Sequence, residues 1–311
     1  MSDETRDTLG GGLILDGPTR AALAAYMLSW ADDELVLGHR DSEWTGFAPQ
    51  IEEDVAFSSI AQDELGHATL LYGLAGGLTG DDPDRLALRR AAPEYRHVAL
   101  VERPNGDWAH TIARHYLYDL ADAIRIDALR DSLYGPLAAA ARKMAREEHY
   151  HLLHDATWWE RLRDGTPESA GRLATAARDI LPLAVDLFGE IADEDRLVAA
   201  GILPCPSAAL LEEWRLGLPG ALVGQPQEQG PRQSPQDPPR RLEQDRLEQD
   251  RDGALLPSPP ASTLWSALAR DLPGLVAVAP TPREGRTVGA DFQALHAEMT
   301  SVSASGLGET W

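Results

Sequence analysis

Apolar side chains return every three or four positions along the first two-thirds of the chain, the period that gathers them on one face of a helix. Leu23, Met27, Trp30 and Leu37 mark the first such stripe. Pro18 opens it, where a missing N–H costs nothing, and Gly38 closes it. The spacing predicts a second helix over Ile51–Leu74, ending in Gly76-Gly77, a third over Trp108–Leu133 and a fourth over Leu137–Leu162. Tyr134-Gly135-Pro136 separates the last two, and Asp164-Gly165 stops the fourth. A fifth covers Pro167–Glu190 with a kink expected at Pro182, and a shorter one follows Pro206 and ends near Gly217. No alternating apolar and polar run predicts a strand.

The connections set the topology. Helices one and two are joined by a short loop, Asp41–Pro49, and helices three and four by a tight turn, so each pair is antiparallel. Between the pairs lies a long polar connection, roughly Gly77–Gly106, that has to cross the bundle. An all-α, ferritin-like four-helix bundle with its long crossover between helices two and three, plus extra C-terminal helices, is the expected fold.

Residues 1–17 read as a flexible N-terminus and 18–223 as the helical domain. After Val223 the composition shifts to Pro, Gln and Arg, and Arg-Leu-Glu-Gln-Asp occurs twice in tandem, at 241–245 and 246–250. Residues 224–262 therefore read as a disordered low-complexity insertion, unable to bury enough apolar surface to offset its ordering entropy. Residues 263–311 are expected to pack on the bundle, with a short helix near Leu264–Leu272 and Phe292, Leu295 and Met299 on one helical face.

Charge narrows the partners. The 311 residues hold 28 Lys and Arg against 50 Asp and Glu, a net −22. That field disfavours nucleic acid and anionic membranes, both of which need a basic surface. A lone Cys205 excludes a disulfide framework and Cys-based metal clusters. No basic, apolar leader opens the chain and no apolar run is long enough to span a bilayer, so the expected location is the cytoplasm.

Two short motifs carry chemistry. Glu64-Leu65-Gly66-His67 lies in helix two and Glu148-His149-Tyr150-His151 in helix four. Residues three apart share a helix face, so each Glu and His can reach one metal region. Two Glu-x-x-His pairs plus one carboxylate from each remaining helix compose the di-iron or di-manganese site of such bundles. The remaining carboxylates are Glu34, thirty residues before Glu64, and Asp119, twenty-nine before Glu148. Each interrupts an otherwise apolar stripe. The candidate ligands are thus Glu34, Glu64, His67, Asp119, Glu148 and His151, a set suited to iron, with manganese as the alternative. Read without a metal, the same six are solvated or salt-bridged polar groups. A further match, Glu94-Tyr95-Arg96-His97, follows Pro93 in the crossover and reads as a surface segment.

His115 and Asp122 share the face of Asp119 and are candidates for orienting the ligands, or for pairing with each other. Asp63 and Glu147 precede the motif glutamates and are expected on solvated faces. Met27, Trp30, Phe57, Ile60 and Met144 read as core, or as the lining of an aromatic pocket.

At these residues the chain resembles a known family, the ferritin-like subunits of the phenylacetyl-CoA 1,2-epoxidase complex of phenylacetate degradation. Leu37–Pro49, Leu100–Tyr116 and the ending Gly308-Glu309-Thr310-Trp311 are similar to its C-type component. Asp63–His67, Tyr134-Gly135-Pro136 and Glu147–His151 resemble its A-type component instead. C-type components are structural partners without the metal ligands, and A-type components hold the di-iron centre. The resemblance implies a hetero-oligomer with an A-type catalytic partner and a structural role for this chain, which carries its own di-metal site. The alternative is a di-iron monooxygenase component that itself oxidises an aromatic acyl-CoA. In either case the family implies dioxygen as oxidant, one oxygen atom entering the ring and the other leaving as water. The electrons come from NADPH through a separate reductase component.

Overall fold

The computed structural model describes residues 13–223 and 261–301. The expected disordered insertion, apart from its last two residues, and most of the expected flexible N-terminus lie outside them. Every regular element among the described residues is helical, and none of these helices is long and apolar enough to cross a membrane.

Four long helices form the bundle: α1 (Gly17–Ser42), α2 (Ile51–Thr79), α5 (Trp108–Leu129) and α6 (Gly135–Asp164). Asp16 starts α1 by accepting the Thr19 amide at 2.8 Å, and Asp107 does the same for α5 through His110 at 2.9 Å. The first helix does not stop at Gly38. It runs one turn further, because Gly38 lets α1 close on α2 where a side chain has no room: a Cβ there would stand 3.1 Å from Glu64 Cβ and 3.0 Å from Leu65 Cγ. Likewise α2 passes through Gly76-Gly77 and ends at Gly80, whose φ of +80° suits glycine.

The crossover is built, not merely polar. It holds α3 (Pro83–Leu88), a 3₁₀ turn at Ala92–Glu94 and α4 (Ala99–Glu102). The expectation that Glu94–His97 lies on the surface is wrong at its centre. Tyr95 and His97 are buried, and His97 Nε2 bonds Glu102 Oε2 at 2.8 Å, while Glu94 caps the turn through the Ala91 amide. A burial signal for such a segment needs partners elsewhere in the chain, here Phe292, 4.0 Å from the His97 ring centroid.

Beyond the bundle come α7 (Pro167–Ala184), α8 (Glu194–Ala199), α9 (Ser207–Val223), α10 (Ala261–Leu275) and α11 (Ala290–Met299). Pro182 does not break α7, which passes into a 3₁₀ turn at Val185–Phe188. α10 packs on α7, and α11 on α4. The three consecutive acids of α1 divide this work. Asp32 accepts the Tyr72 hydroxyl of α2 and holds the crossover through Arg90 and the Arg96 amide. Asp33 holds Arg283 at 2.8 Å and the Val98 amide at 2.8 Å. Glu34 alone turns to the bundle axis.

Candidate metal centre

α1, α2 and α6 bring Glu34, Glu64, His67 and Glu148 together, one ligand atom from each lying within 4.8 Å of the others. All four are buried, Glu148 the most exposed at 3%. His67 Nδ1 stands 3.6 Å from Glu34 Oε2, 3.7 Å from Glu64 Oε2 and 3.3 Å from Glu148 Oε1. His151 Nδ1 stands 3.5 Å from Glu64 Oε1 and 3.7 Å from Glu148 Oε1. These spacings are long for hydrogen bonds. They lie at, or a few tenths of an ångström beyond, the about 3–3.5 Å that would separate neighbouring donor atoms on one ion with bonds of about 2.1 Å.

Helical spacing explains why the atoms converge. Glu64 and His67, and Glu148 and His151, are each one turn apart on the inner face of their helices. The outer nitrogens of both rings are tied across the helix pair. His67 Nε2 bonds Glu147 Oε2 at 2.8 Å, and His151 Nε2 lies 3.3 Å from Asp63 Oδ2. Asp63 and Glu147 are thus not idle surface charges. Each is about a third exposed, yet each fixes the ring of the opposite helix so that Nδ1 faces inward.

The inner atoms lack protein partners: Glu34 Oε2, both oxygens of Glu64, Glu148 and Asp119, and Nδ1 of His67 and His151. Orphaned buried polar atoms are costly and rare, and here those of Glu34, Glu64, His67 and Glu148 gather in one place. The donor set is carboxylate oxygens and imidazole nitrogens, which suits iron or manganese. The chemistry of Glu34, Glu64, His67 and Glu148 fits such an ion.

Electrostatics agree with the geometry. Burial raises Glu64 and Asp119 well above the usual carboxylate range, with the charges of Glu34 and Glu148 adding to the first and those of Asp155 and Glu148 to the second. Burial also opposes the ionised form of Glu34, but the close approach of Glu64 and His67 holds it down at about 2. Burial should make the histidines less basic. The close carboxylates of Glu148, Glu34 and Glu64 instead raise His67 strongly, and Asp63, Glu64 and the charge of Glu148 lift His151 to about 11. A site that retains so many protons is one whose charge calls for cations.

Three expected residues stand elsewhere. Asp119 leans toward His115 and Asp155, with which it forms a separate buried group. Asp122 accepts the Trp30 indole at 3.2 Å and pairs with Arg125, whose guanidinium lies 4.6 Å over the Trp30 ring. His115 and Asp122 do not pair with each other: His115 Nε2 bonds Asp41 at 2.6 Å. Tyr118 donates to Glu34 at 3.2 Å. Asp155 is the residue that sequence reasoning missed. It lies seven positions after Glu148 and four after His151, on the same helix face, and that spacing was the available signal.

A cavity of about 170 Å³ between α5 and α6 reaches Glu148, lined by Ala123, Ile126, Ala145 and Leu152, with Asp127, Arg130 and His149 completing it. Met27, Trp30, Phe57, Ile60 and Met144 belong to the packed core instead.

Helices, crossover and convergent carboxylates with histidines define a ferritin-like bundle protein with a candidate di-metal centre. The chain belongs to the phenylacetic acid catabolic protein family, whose model matches residues 16–218. It is 36% identical over 211 residues to the C component of 1,2-phenylacetyl-CoA epoxidase from Escherichia coli (strain K12), covering 67% of this chain and 85% of that one. The A component of the same bacterium's epoxidase is 27% identical over 132 residues, 42% of each chain.

Proposed function

We propose that this chain is a subunit of a multicomponent phenylacetyl-CoA epoxidase, the structural partner of an A-type catalytic component, holding a di-metal centre of its own. The observation that carries the second half is the convergence of buried, unpartnered ligand atoms from Glu34, Glu64, His67, Glu148 and His151. Asp119, whose two oxygens have no hydrogen-bond partner, would complete the set. The greater identity to the C component supports the partner role. A bound iron pair would supply the capacity to activate dioxygen, using electrons from a reductase component.

The chain's own residues prepare the site. Asp63 and Glu147 hold the two imidazoles in register, Tyr118 anchors Glu34, and Gly38 sets the α1–α2 spacing. The cavity at Glu148 favours a second reading, in which this chain itself oxidises an aromatic acyl-CoA, because Ala123, Ile126, Ala145 and Leu152 offer an apolar surface for a small group beside a candidate ligand.

One experiment separates the readings. Metal content is measured on the purified chain after anaerobic Fe(II) loading, and turnover on a complex reconstituted with an A-type component and a reductase. Two irons per chain, with Glu148→Ala losing them while turnover persists, supports the partner role. Turnover falling by orders of magnitude in an assembled Glu148→Ala complex supports the catalytic one. A chain that binds neither iron nor an A-type component overturns both.

A further inference from the structure

We infer that His115, Asp119 and Asp155 form a third divalent-cation position, one turn along α5 and α6 from the candidate pair. It depends on the di-metal reading only through Asp119, which the two positions share.

The geometry is that of a ligand set. One atom from each residue lies within 4.8 Å of the other two, and all three side chains are fully buried. His115 Nε2 bonds Asp41 Oδ1 at 2.6 Å, so the ring is oriented by a carboxylate and Nδ1 turns inward. This repeats, on α5, the arrangement of Glu147 with His67. Asp155 is oriented too: its Oδ1 bonds His154 Nδ1 at 2.9 Å, and His154 Nε2 bonds Glu53 at 2.7 Å. The inward atoms are then His115 Nδ1, Asp155 Oδ2 and both oxygens of Asp119, and none has a hydrogen-bond partner. His115 Nδ1 and Asp155 Oδ2 stand 3.8 Å apart, beyond hydrogen-bond reach and suited to sharing an ion.

One nitrogen and two carboxylate donors suit zinc, cobalt, manganese or iron rather than magnesium or calcium, which prefer oxygen alone. Three protein ligands leave coordination positions for water, and the Phe57 ring, 5.2 Å from His115, forms an apolar wall beside them. The competing occupant is a proton shared between Asp119 and Asp155.

Anaerobic Co(II) titration of the full chain tests this, with visible absorption for coordination and elemental analysis after gel filtration for stoichiometry. The wild type is expected to bind three ions, and His115→Ala two. Asp155→Asn, which keeps the side-chain volume, is also expected to bind two, and circular dichroism checks that both variants fold. The double variant His67→Ala/Glu148→Ala should keep one. If the wild type binds two and neither His115→Ala nor Asp155→Asn lowers that number, a proton holds the pair and this site does not exist, while the di-metal reading stands. If the wild type binds one ion, lost in His115→Ala but kept in the double variant, the site stands and the di-metal reading falls. A wild type that binds no Co(II) rejects both.

Discussion

His67 Nε2 on α2 and Glu147 Oε2 on α6 lie 2.8 Å apart, a bond that crosses the bundle and is mirrored by Asp63 and His151. The two halves of the molecule therefore do not simply contribute ligands side by side. Each half supplies the carboxylate that aims the other half's imidazole. Because Asp63 and Glu147 are partly exposed, the aiming groups connect a buried centre to the surface.

Removing the aim should weaken the metal without removing a ligand. Glu147→Gln and Asp63→Asn are each expected to lower metal affinity about 10- to 100-fold while leaving the stoichiometry unchanged. Competition with a chelator measures the first and elemental analysis the second. Unchanged affinity in both variants would mean that the rings are held by packing alone.

The protons of the centre predict an opposite pH response for the two states. In the ion-free protein, the folded values of His67 and His151 lie above the ordinary 6.5, His151 at about 11. Their contribution to stability is complete below about pH 6.5 and is lost as the pH rises toward about 11, because the folded state then binds protons that the unfolded state has released. Glu34, held at about 2, adds stability that disappears only on acidification below about 4.5. The melting temperature in chelator should thus fall between about pH 6.5 and about pH 9.5. Metal binding must expel the same protons, so affinity should rise over that interval. Thermal scans and Co(II) titrations at three pH values check both directions.

Arg283 and Asp33 are bonded at 2.8 Å across 250 residues, both buried. Arg283→Met leaves an unpaired buried carboxylate and should cost about 3–5 kcal/mol in urea unfolding. Arg283→Met/Asp33→Asn should recover part of that loss. Equal instability of the single and double variants would show that Arg283 acts through its bonds to Leu187 and Arg96 carbonyls instead.

That pair also shows where sequence reading stopped. The bundle, its antiparallel pairs and the crossover follow from apolar period and loop length, which are local properties. Glu64, His67, Glu148 and His151 were visible because a three-residue spacing on a helix is itself geometry. Asp32, Asp33 and Glu34 were not separable, since consecutive helical residues diverge by about 100° and their partners Arg90, Arg283 and His67 lie far along the chain. Asp63 and Glu147 looked like surface charges for the same reason: each is satisfied by the opposite helix. The burial of His97 depends on Phe292, almost two hundred residues later.

The cavity at Glu148 gives the last test. Its apolar residues stand beside Glu148, so a small molecule approaching that residue from the α5–α6 side would pass Ala123, Ala145 and Leu152. Ala145 is partly buried, packs against the core and lines the cavity, so a phenyl ring there would add bulk beside Glu148. Ala145→Phe should leave metal stoichiometry and helical content intact while slowing oxidation of the Fe(II)-loaded chain by dioxygen at least about tenfold, a barrier increase of about 1.4 kcal/mol. Leu152→Ala, which widens the same passage, should not slow it. Stopped-flow absorbance after mixing with oxygenated buffer reads the rates, and elemental analysis confirms equal loading. Equal rates in the wild type and Ala145→Phe would show that dioxygen arrives by another route and that the cavity plays no part in access.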